Sequence, residues 1–511
     1  MSSGPYPVEL LTNTQMATAD RLTIEGGLPG MTLMQNAAQA VARVTSQILQ
    51  RTSGRRILVL CGPGNNGGDG YLVAGLLRQQ RYKVKVAALT RREHLRGDAL
   101  TAALRWPHDI GRAEDVDFAG IDLVIDALFG TGLSRDLDNG VVSLVERLNR
   151  WRRESGQQVV SVDIPSGIDG GTGAVRGAAV EADATVTFFR VKTGHMLLPG
   201  RLHCGQLTCA HIGIRSAVLD RMSVDTYVNE PGLWRAALPV PRVAGHKYAR
   251  GHAVVASGGP SHTGAARLAA AAALRAGAGL VTLASPSGAL TVNAAALTAV
   301  MVRVADGPEG LTALLADSRK NAVALGPGLG VGEETCALVE AALASSPSSR
   351  AAVLDADALT SFAADPQRLW KAIRSAPGFV VLTPHAGEFA RLFQLSDRDA
   401  DGAPRSKLDA AREAARLSGA VVLYKGPDTV VAAPDGRASI IASASAWLAT
   451  AGSGDVLTGM IAGLLAQGMT PLMAASCAGW MHARAAEIFG PGLIADDIVA
   501  TLPAVWRELC G

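Results

Sequence analysis

Residues 61–70 read Cys-Gly-Pro-Gly-Asn-Asn-Gly-Gly-Asp-Gly, with five glycines in ten positions. Glycine lets a backbone approach an anion, and the free N–H groups at a helix start point toward it. Asn65, Asn66 and Asp69 add side-chain donors and acceptors that a tight turn does not need. Related residues recur downstream: Asp126 before Gly130-Thr131-Gly132-Leu133-Ser134-Arg135-Asp136, then Asp163 with Ser166, then Lys192. Asp163 and Lys192 bring a carboxylate and an ammonium to two strand ends that could line a ligand crevice. The same two residues could instead form a buried ion pair that joins two loops. Asp126 taken alone fits the cap of the turn that follows it. A second chemistry lies at residues 451–456, Ala-Gly-Ser-Gly-Asp-Val. Glycines at a helix start suit a phosphate. Asp455, in that first turn, could take a proton from a hydroxyl attacking a phosphoryl group. Capping is the plainer role for Asp355 and Asp357.

Each of these residues needs an element to hold it. Apolar runs at 57–60, 84–89, 121–127, 159–163 and 185–189 predict strands. Helices are expected at 71–80 and 141–152, and over 13–40 with a break at 26–30, while 91–105 reads as a charged surface segment. Four of these strand ends carry Gly, Asp, Ser or Lys. In open parallel α/β sheets ligands bind beyond the carboxyl ends of strands. The repetition therefore predicts one crevice lined by Asn65, Asn66, Asp69, Asp126, Asp163, Ser166 and Lys192. A hydride-transfer dinucleotide fold is disfavoured, because Gly-x-Gly-x-x-Gly is absent and no acid closes the 84–89 strand.

The second half repeats the scheme. Strands are expected at 252–257, 280–284, 322–325, 352–354, 380–382 and 421–424. A hairpin is expected from 429–432 and 438–441 around Pro434-Asp435-Gly436. Residues 267–276 predict an Ala-rich helix, and another should run from the 451–456 stretch to about Ala466. Between the halves, 215–241 is mixed in charge and holds Pro231, Pro239 and Pro241, so it reads as a linker or crossover. A boundary near 225 gives units of 1–225 and 226–511.

Gly62 to Gly70, Asp126 to Gly132, Asp163-Ile164-Pro165-Ser166-Gly167 and Lys192-x-Gly194, in that order and spacing, resemble the NAD(P)H-hydrate epimerases across most of the first unit. The resemblance implies a Rossmann-like three-layer fold. It implies hydrate contacts by Asn65, Asn66, Gly67, Gly68, Asp69, Gly130, Thr131, Gly132, Leu133, Ser134, Arg135, Asp136 and Asp163. It further implies a potassium ion held by Asn66, Asp126 and Ser166, an oxygen-only set that suits a hard cation. Asp163 and Lys192 would be catalytic.

Gly-Ser-Gly-Asp-Val before an apolar helix resembles the ribokinase-like enzymes. A fuller set narrows the likeness: Gly264-Ala265, Leu325 to Gly330, Asp355 to Leu359, Thr383-Pro384-His385-x-Gly387-Glu388, Lys425-Gly426 and Ala451 to Asp455. It is similar to the ADP-dependent NAD(P)H-hydrate dehydratases. That implies hydrate contacts by Ala265, Gly328, His385 and Asp455. Lys425, Gly426, Pro427, Asp428, Thr429 and Gly454 would contact ADP, which would bring magnesium. Asp455 would be the base. Ser453 stands where that family often has threonine, keeping the hydroxyl. Together the resemblances imply a repair enzyme for hydrated nicotinamide nucleotides. It would epimerise R and S hydrates, then dehydrate the S form as ADP becomes AMP and phosphate. The rival is a ribokinase-like small-molecule kinase fused to a non-catalytic nucleotide-binding module.

Composition bounds the partners. A net charge of +3 on 511 residues makes no case for nucleic acid. Six scattered cysteines form no Cys-x-x-Cys pair, so neither a zinc site nor a disulfide framework is suggested. The first ten residues lack a secretory pattern. The uncharged runs 276–302 and 456–481 are interrupted by polar residues and proline, as buried elements are. A cytoplasmic homo-oligomer without membrane contact is expected.

Overall fold

The computed structural model describes every residue except 1–6, 134, 242, 244, 345–349, 397–404, 442 and 444. The chain divides into two units, Met1–Thr226 and Tyr227–Gly511.

The first unit is built on strands β1 (Arg56–Cys61), β2 (Lys83–Ala88), β3 (Ile110–Arg112), β4 (Leu123–Ala127), β5 (Gln158–Val162), β6 (Ala184–Phe188) and β7 (Gln206–Ala210). Their order in the sheet is β3-β2-β1-β4-β5-β6-β7, and every pairing is parallel. Strands β4 and β6 are buried throughout, as strands covered on both faces must be. The chain starts at β1, winds to one edge, then crosses to β4 and winds to the other. The reversal between β1 and β4 is the topological switch point, where such sheets bind ligands. The two loops touch there: Gly62 N–H donates to the Ala127 carbonyl at 2.9 Å. A Cβ on Gly62 would overlap the Leu128 carbonyl.

Three helices flank this point: α1 (Asn13–Glu25), α2 (Gly30–Thr52) and α3 (Asn65–Gln79). A Thr12–Gln15 capping box starts α1. Helix α2 runs past residue 40, where the sequence reading ended it, because Val41, Thr45 and Leu49 continue its buried face. Strands β3 and β7 were not foreseen. Both are partly exposed edge strands without an apolar run. A short parallel pairing sets Leu10–Leu11 against Val191–Lys192, with Leu11 opposite Lys192.

The second unit uses β8 (Thr226–Val228), β9 (His252–Ala256), β10 (Leu280–Ser285), β11 (Met301–Val304), β12 (Ala322–Leu325), β13 (Ala351–Leu354), β14 (Val380–Leu382), β15 (Val421–Tyr424), β16 (Val430–Ala432) and β17 (Ala438–Ile440). The order is β8-β17-β16-β15-β14-β13-β12-β9-β10-β11, parallel from β15 to β11 and antiparallel at the β15-β16-β17 hairpins. Its switch point lies between β9 and β12. Helices α4 (Gly264–Arg275) and α5 (Ser453–Ala466) pack there. A Cβ on Gly459 or Gly463 would overlap the Ala269 or Ala273 carbonyl of α4, so the small residues let two helices approach closely. The segment 215–241 is more than a linker. It supplies edge strand β8 and the fully buried Trp234, whose indole N–H donates to Asn229 Oδ1 at 3.0 Å. Among the described residues no helix is long and apolar enough to cross a membrane.

Candidate functional site

In the first unit a cavity of about 600 Å³ opens at the switch point. Helix α1, the start of α3, the loop after β4 and the end of β5 line it. Asp163 follows β5 with φ 65°, a left-handed conformation rare outside glycine and typical of functional sites. Its Oδ1 accepts from Lys192 Nζ at 2.7 Å and Thr187 Oγ1 at 3.0 Å. Its Oδ2 accepts from Thr131 N and Oγ1 at 3.2 and 3.0 Å. Burial alone would raise this carboxyl, but Lys192 outweighs burial and holds it well below the usual carboxylate range. Lys192 is 1% exposed and also donates to Thr187 Oγ1 at 2.7 Å. His195 Nδ1 accepts from Lys192 N at 3.1 Å, so Nε2 carries the proton it shares with the Asp163 carbonyl at 2.8 Å. Burial, then Lys192, push this imidazole down to about 4 and keep it neutral.

Two further acids face this pair. Burial, then the charges of Asp163 and Asp20, push Asp69 well above its ordinary value. Burial raises Asp20 to about 6, with Lys192 pulling it down and Asp163 pushing it up.

Asp126 lies behind the cavity, fully buried. Ser166 Oγ and N donate to it at 2.5 and 2.9 Å, Ser161 Oγ at 2.8 Å and Leu128 N at 3.3 Å. These are neutral donors, and burial raises its carboxyl. The Phe129 N–H donates to Ser166 Oγ at 2.8 Å. Next along the chain, Gly130 packs against the Asn66 amide, whose Nδ2 is buried without a partner. A buried carboxylate among hydroxyl oxygens fits an oxygen-ligated cation, whereas the orphaned Asn66 Nδ2 is a donor and calls for an acceptor.

In the second unit, Asp355 after β13 is 1% exposed. Lys425 Nζ lies 2.8 Å from its Oδ1 and 3.9 Å from Glu388 Oε2, and Thr458 Oγ1 donates to its Oδ2 at 2.8 Å. Burial would lower Lys425, yet Asp355 and Glu388 hold it above its ordinary value. The start of α5 faces this cluster. Gly452 sits at φ 84°, and a Cβ on Gly454 would lie 3.4 Å from Lys425 Nζ. Burial, then the Asp355 charge, push Asp455 up to about 6 against the pull of Lys425. Across the switch point a Cβ on Gly328 would lie 3.7 Å from Ala265 Cβ. His385 caps the next helix, its Nδ1 accepting from Gly387 N and Glu388 N at 3.0 and 3.3 Å. Its side chain remains 54% exposed, with Nε2 3.2 Å from Glu388 Oε1. Lys407 Nζ lies 2.7 Å from Asp428 Oδ1 and donates to the Lys425 carbonyl at 3.2 Å. Thr429 Oγ1 accepts from Gly426 N at 3.0 Å, closing the 425–429 loop.

The family described as NAD(P)H-hydrate dehydratase matches residues 253–500, and the one described as YjeF-related protein N-terminus matches residues 30–194. The bifunctional NAD(P)H-hydrate repair enzyme Nnr of Moorella thermoacetica is 36% identical, covering 98% of this chain and 97% of its own. The chain belongs to the bifunctional NAD(P)H-hydrate repair enzymes. The Salinibacter ruber member is 35% identical over the same shares of both chains. Among solved structures, an ADP/ATP-dependent NAD(P)H-hydrate dehydratase from Bacillus subtilis, co-crystallised with ATP and Mg²⁺, is 29% identical. It covers 55% of this chain and 98% of its own at a TM-score of 0.46.

Within this member of the family, Asn65, Asn66, Asp69, Gly130, Thr131, Gly132, Leu133, Arg135, Asp163 and Lys192 line the cavity together. Gly67 and Gly68 do not line it. A Cβ on Gly67 would overlap the Gly62 backbone, and one on Gly68 would press on Met34. Those two glycines serve the packing of α3. Asp136 also lies outside the lining, and Ser134 lies outside the described residues. Asp357 accepts from Gly330 N at 2.9 Å, so it braces the 326–330 loop. Sequence reading missed Asn13, Met16 and Asp20, as well as Thr187, Lys407 and Thr458. A signal for the first three was present: Asn13, Met16, Ala17, Asp20 and Ile24 recur at helical spacing, and all five line the cavity.

Proposed function

We propose that the first unit interconverts the R and S epimers of NADH hydrate and NADPH hydrate, and that the second dehydrates the S epimer with ADP. The reading rests on one observation: two separate acid–lysine centres, Asp163–Lys192 and Asp355–Lys425, each stand at the carboxyl ends of a parallel sheet in one chain. Hydrate contacts are assigned to the cavity residues around Asp163, and to Ala265, Gly328, His385 and Asp455. Lys425, Gly426, Pro427, Asp428, Thr429 and Gly454 are assigned to ADP.

In the second unit Asp455 takes the proton of the ring hydroxyl as its oxygen attacks the terminal phosphoryl group of ADP. AMP departs. Phosphate then leaves the ring carbon more readily than hydroxide would, and loss of the adjacent ring proton restores the dihydronicotinamide. The N–H groups at the start of α5 and the Lys425 ammonium oppose the phosphate charge. Among the described residues no cluster of three His, Cys, Asp or Glu side chains stands ready for a metal. Magnesium would therefore be held chiefly by nucleotide phosphates, where it neutralises their charge. In the first unit Asn66, Asp126 and Ser166 would hold potassium, which supplies the positive charge that buried Asp126 lacks. All six cysteines are free, as suits the cytoplasm.

The test is to incubate the protein with mixed hydrate epimers, ADP, magnesium and potassium, correcting for spontaneous epimerisation. Complete conversion to NADH with one AMP and one phosphate per hydrate is expected. Conversion of the S fraction alone would remove the epimerase assignment. A stable phosphorylated hydrate would favour the kinase.

A further inference from the structure

Helix α1 precedes the residues matched by the family model of the first unit, which begin at 30. It is nonetheless built into the cavity. The Leu10–Leu11 pairing puts Leu11 opposite Lys192, so the chain enters α1 beside that lysine. Gln15 ties the helix down through Thr12 and through the Ser223 carbonyl at 2.7 Å. One face then covers the cavity from Asn13 to Ile24. Two polar groups on that face lack partners among the described residues. Asn13 Oδ1 is buried without a hydrogen bond. The Asp20 carboxyl lines the cavity and makes no hydrogen bond or ion pair of its own, although it lies within the fields of Asp163, Lys192 and Asp69.

Asp163 presents the opposite case. Lys192, Thr187 and two groups of Thr131 occupy both of its oxygens, so it is held as an anion and is a poor source of a proton. Inverting a ring carbon that bears a hydroxyl next to nitrogen requires a proton for the departing oxygen and an acceptor for the incoming water.

We propose that Asp20 is a catalytic residue of the first unit, the acid that protonates the departing ring hydroxyl. The proposal rests on the epimerase reading. The Asp20 carboxyl gives its proton to the hydroxyl, the C–O bond breaks, and water leaves. The ring-nitrogen lone pair closes a C=N⁺ bond, and Asp20 becomes a carboxylate. A second water adds to the other face. Its oxygen forms the new C–O bond, the C=N pair returns to nitrogen, and its proton passes to the Asp163 carboxylate. Water added to an iminium carbon is a strong acid, so a weak base suffices. One water has left, one has entered, and one proton has moved from Asp20 to Asp163. Exchange with solvent returns it. The reverse epimerisation retraces these steps from the form in which Asp163 carries the proton it has accepted.

The ionisable groups facing Asp20 around the cavity are Asp69 on α3, Asp163, Lys192, Asp98 and Arg135. Burial favours its acid form first, Lys192 opposes it, and the Asp163 charge adds to the effect of burial. The net position, about 6, matches a group asked to give and regain a proton near neutrality.

The experiment compares wild type, Asp20→Asn and Asp20→Glu in the full chain. Epimerisation of purified R hydrate without ADP is followed chromatographically across pH. Asp20→Asn should lose about 100-fold or more in rate, and Asp20→Glu should regain much of it. The wild-type rate should fall as pH rises through about 6, and Asp20→Asn should lose that limb. The unfolding midpoint of Asp20→Asn should not drop, since the amide removes a disfavoured charge. Rates within a few-fold of wild type, or an unaltered pH limb, would overturn the proposal. So would a fall in rate that tracks a fall in the unfolding midpoint. A wild-type protein that leaves R hydrate untouched would overturn the epimerase reading itself, and no variant is needed to see that.

Discussion

Lys192 and Asp163 form a closed pair: Nζ stands 2.7 Å from Oδ1, and the lysine is 1% exposed. Losing one partner strands the other's charge in the interior. Lys192→Met should therefore cost about 3–5 kcal/mol in the unfolding of the first unit. The double variant Asp163→Asn/Lys192→Met should be less destabilised than Lys192→Met alone, because no unpaired charge remains. Urea unfolding of the full chains checks this, and costs that simply added would contradict the pairing. The pH dependence has a definite sign. The folded carboxyl of Asp163 is held below its unfolded value. Its contribution is therefore present above the ordinary carboxylate range and lost as pH falls below it.

Much of this was legible in the sequence, and the losses have physical reasons. Strands covered on both faces, such as Leu123–Ala127, show as apolar runs. Their loops show as clusters of Gly and Asp, so the crevice and the Asp163–Lys192 pair could be anticipated. Edge strands such as Gln206–Ala210 are only partly buried, carry no apolar run and look like loops. Asp20 was hidden differently. Helical spacing puts it on one face with Asn13, Met16, Ala17 and Ile24, but that this face docks beside Lys192 follows only from the tertiary fold. Gly67 and Gly68 pose the converse difficulty: a glycine that admits a ligand and one that makes room for the Gly62 backbone or the Met34 side chain are the same letter.

Asp126 is a buried anion whose donors in the structure are all uncharged. While no cation is bound, its raised carboxyl favours folding fully below the ordinary carboxylate value, and that stability is lost as pH rises. Potassium binding at Asp126, Asn66 and Ser166 should reverse this loss. The wild-type unfolding temperature at neutral pH should rise in potassium chloride relative to tetramethylammonium chloride. Asp126→Asn should abolish the difference. Equal wild-type midpoints in the two salts would exclude a potassium site there.

Gly62 tests the switch point itself. A Cβ at this position overlaps the Leu128 carbonyl, so Gly62→Ala must push apart the loops after Arg56–Cys61 and Leu123–Ala127. The loop after Leu123–Ala127 carries Thr131, whose N–H and hydroxyl both reach Asp163. Gly62→Ala should therefore lower epimerisation and unfold the first unit at lower urea, while ADP-dependent dehydration of S hydrate stays at the wild-type rate. Gly75→Ala in α3 is the control, since nothing lies within 4 Å of a Cβ there and the residue does not line the cavity. Equal epimerisation by the two variants would show that the switch-point contact does not position Thr131.

Asp455 must be ionised to accept a proton, and its carboxyl stands at about 6. The dehydration rate at saturating S hydrate and ADP should accordingly climb as pH rises through about 6 and level off above it. Asp455→Asn should lose roughly 10²–10⁴-fold and leave epimerisation untouched. The neighbours should move the limb in opposite directions. Asp355→Asn removes a negative charge that opposes ionisation and releases Lys425 from its pair, so both effects shift the limb to lower pH. Lys425→Met removes the one attraction and shifts it to higher pH, on top of any loss of nucleotide binding. The two variants separate base catalysis from structural support, because a residue that only caps α5 would give rates indifferent to both charges. A limb that moved upward in Asp355→Asn would mean that Asp455 does not set it.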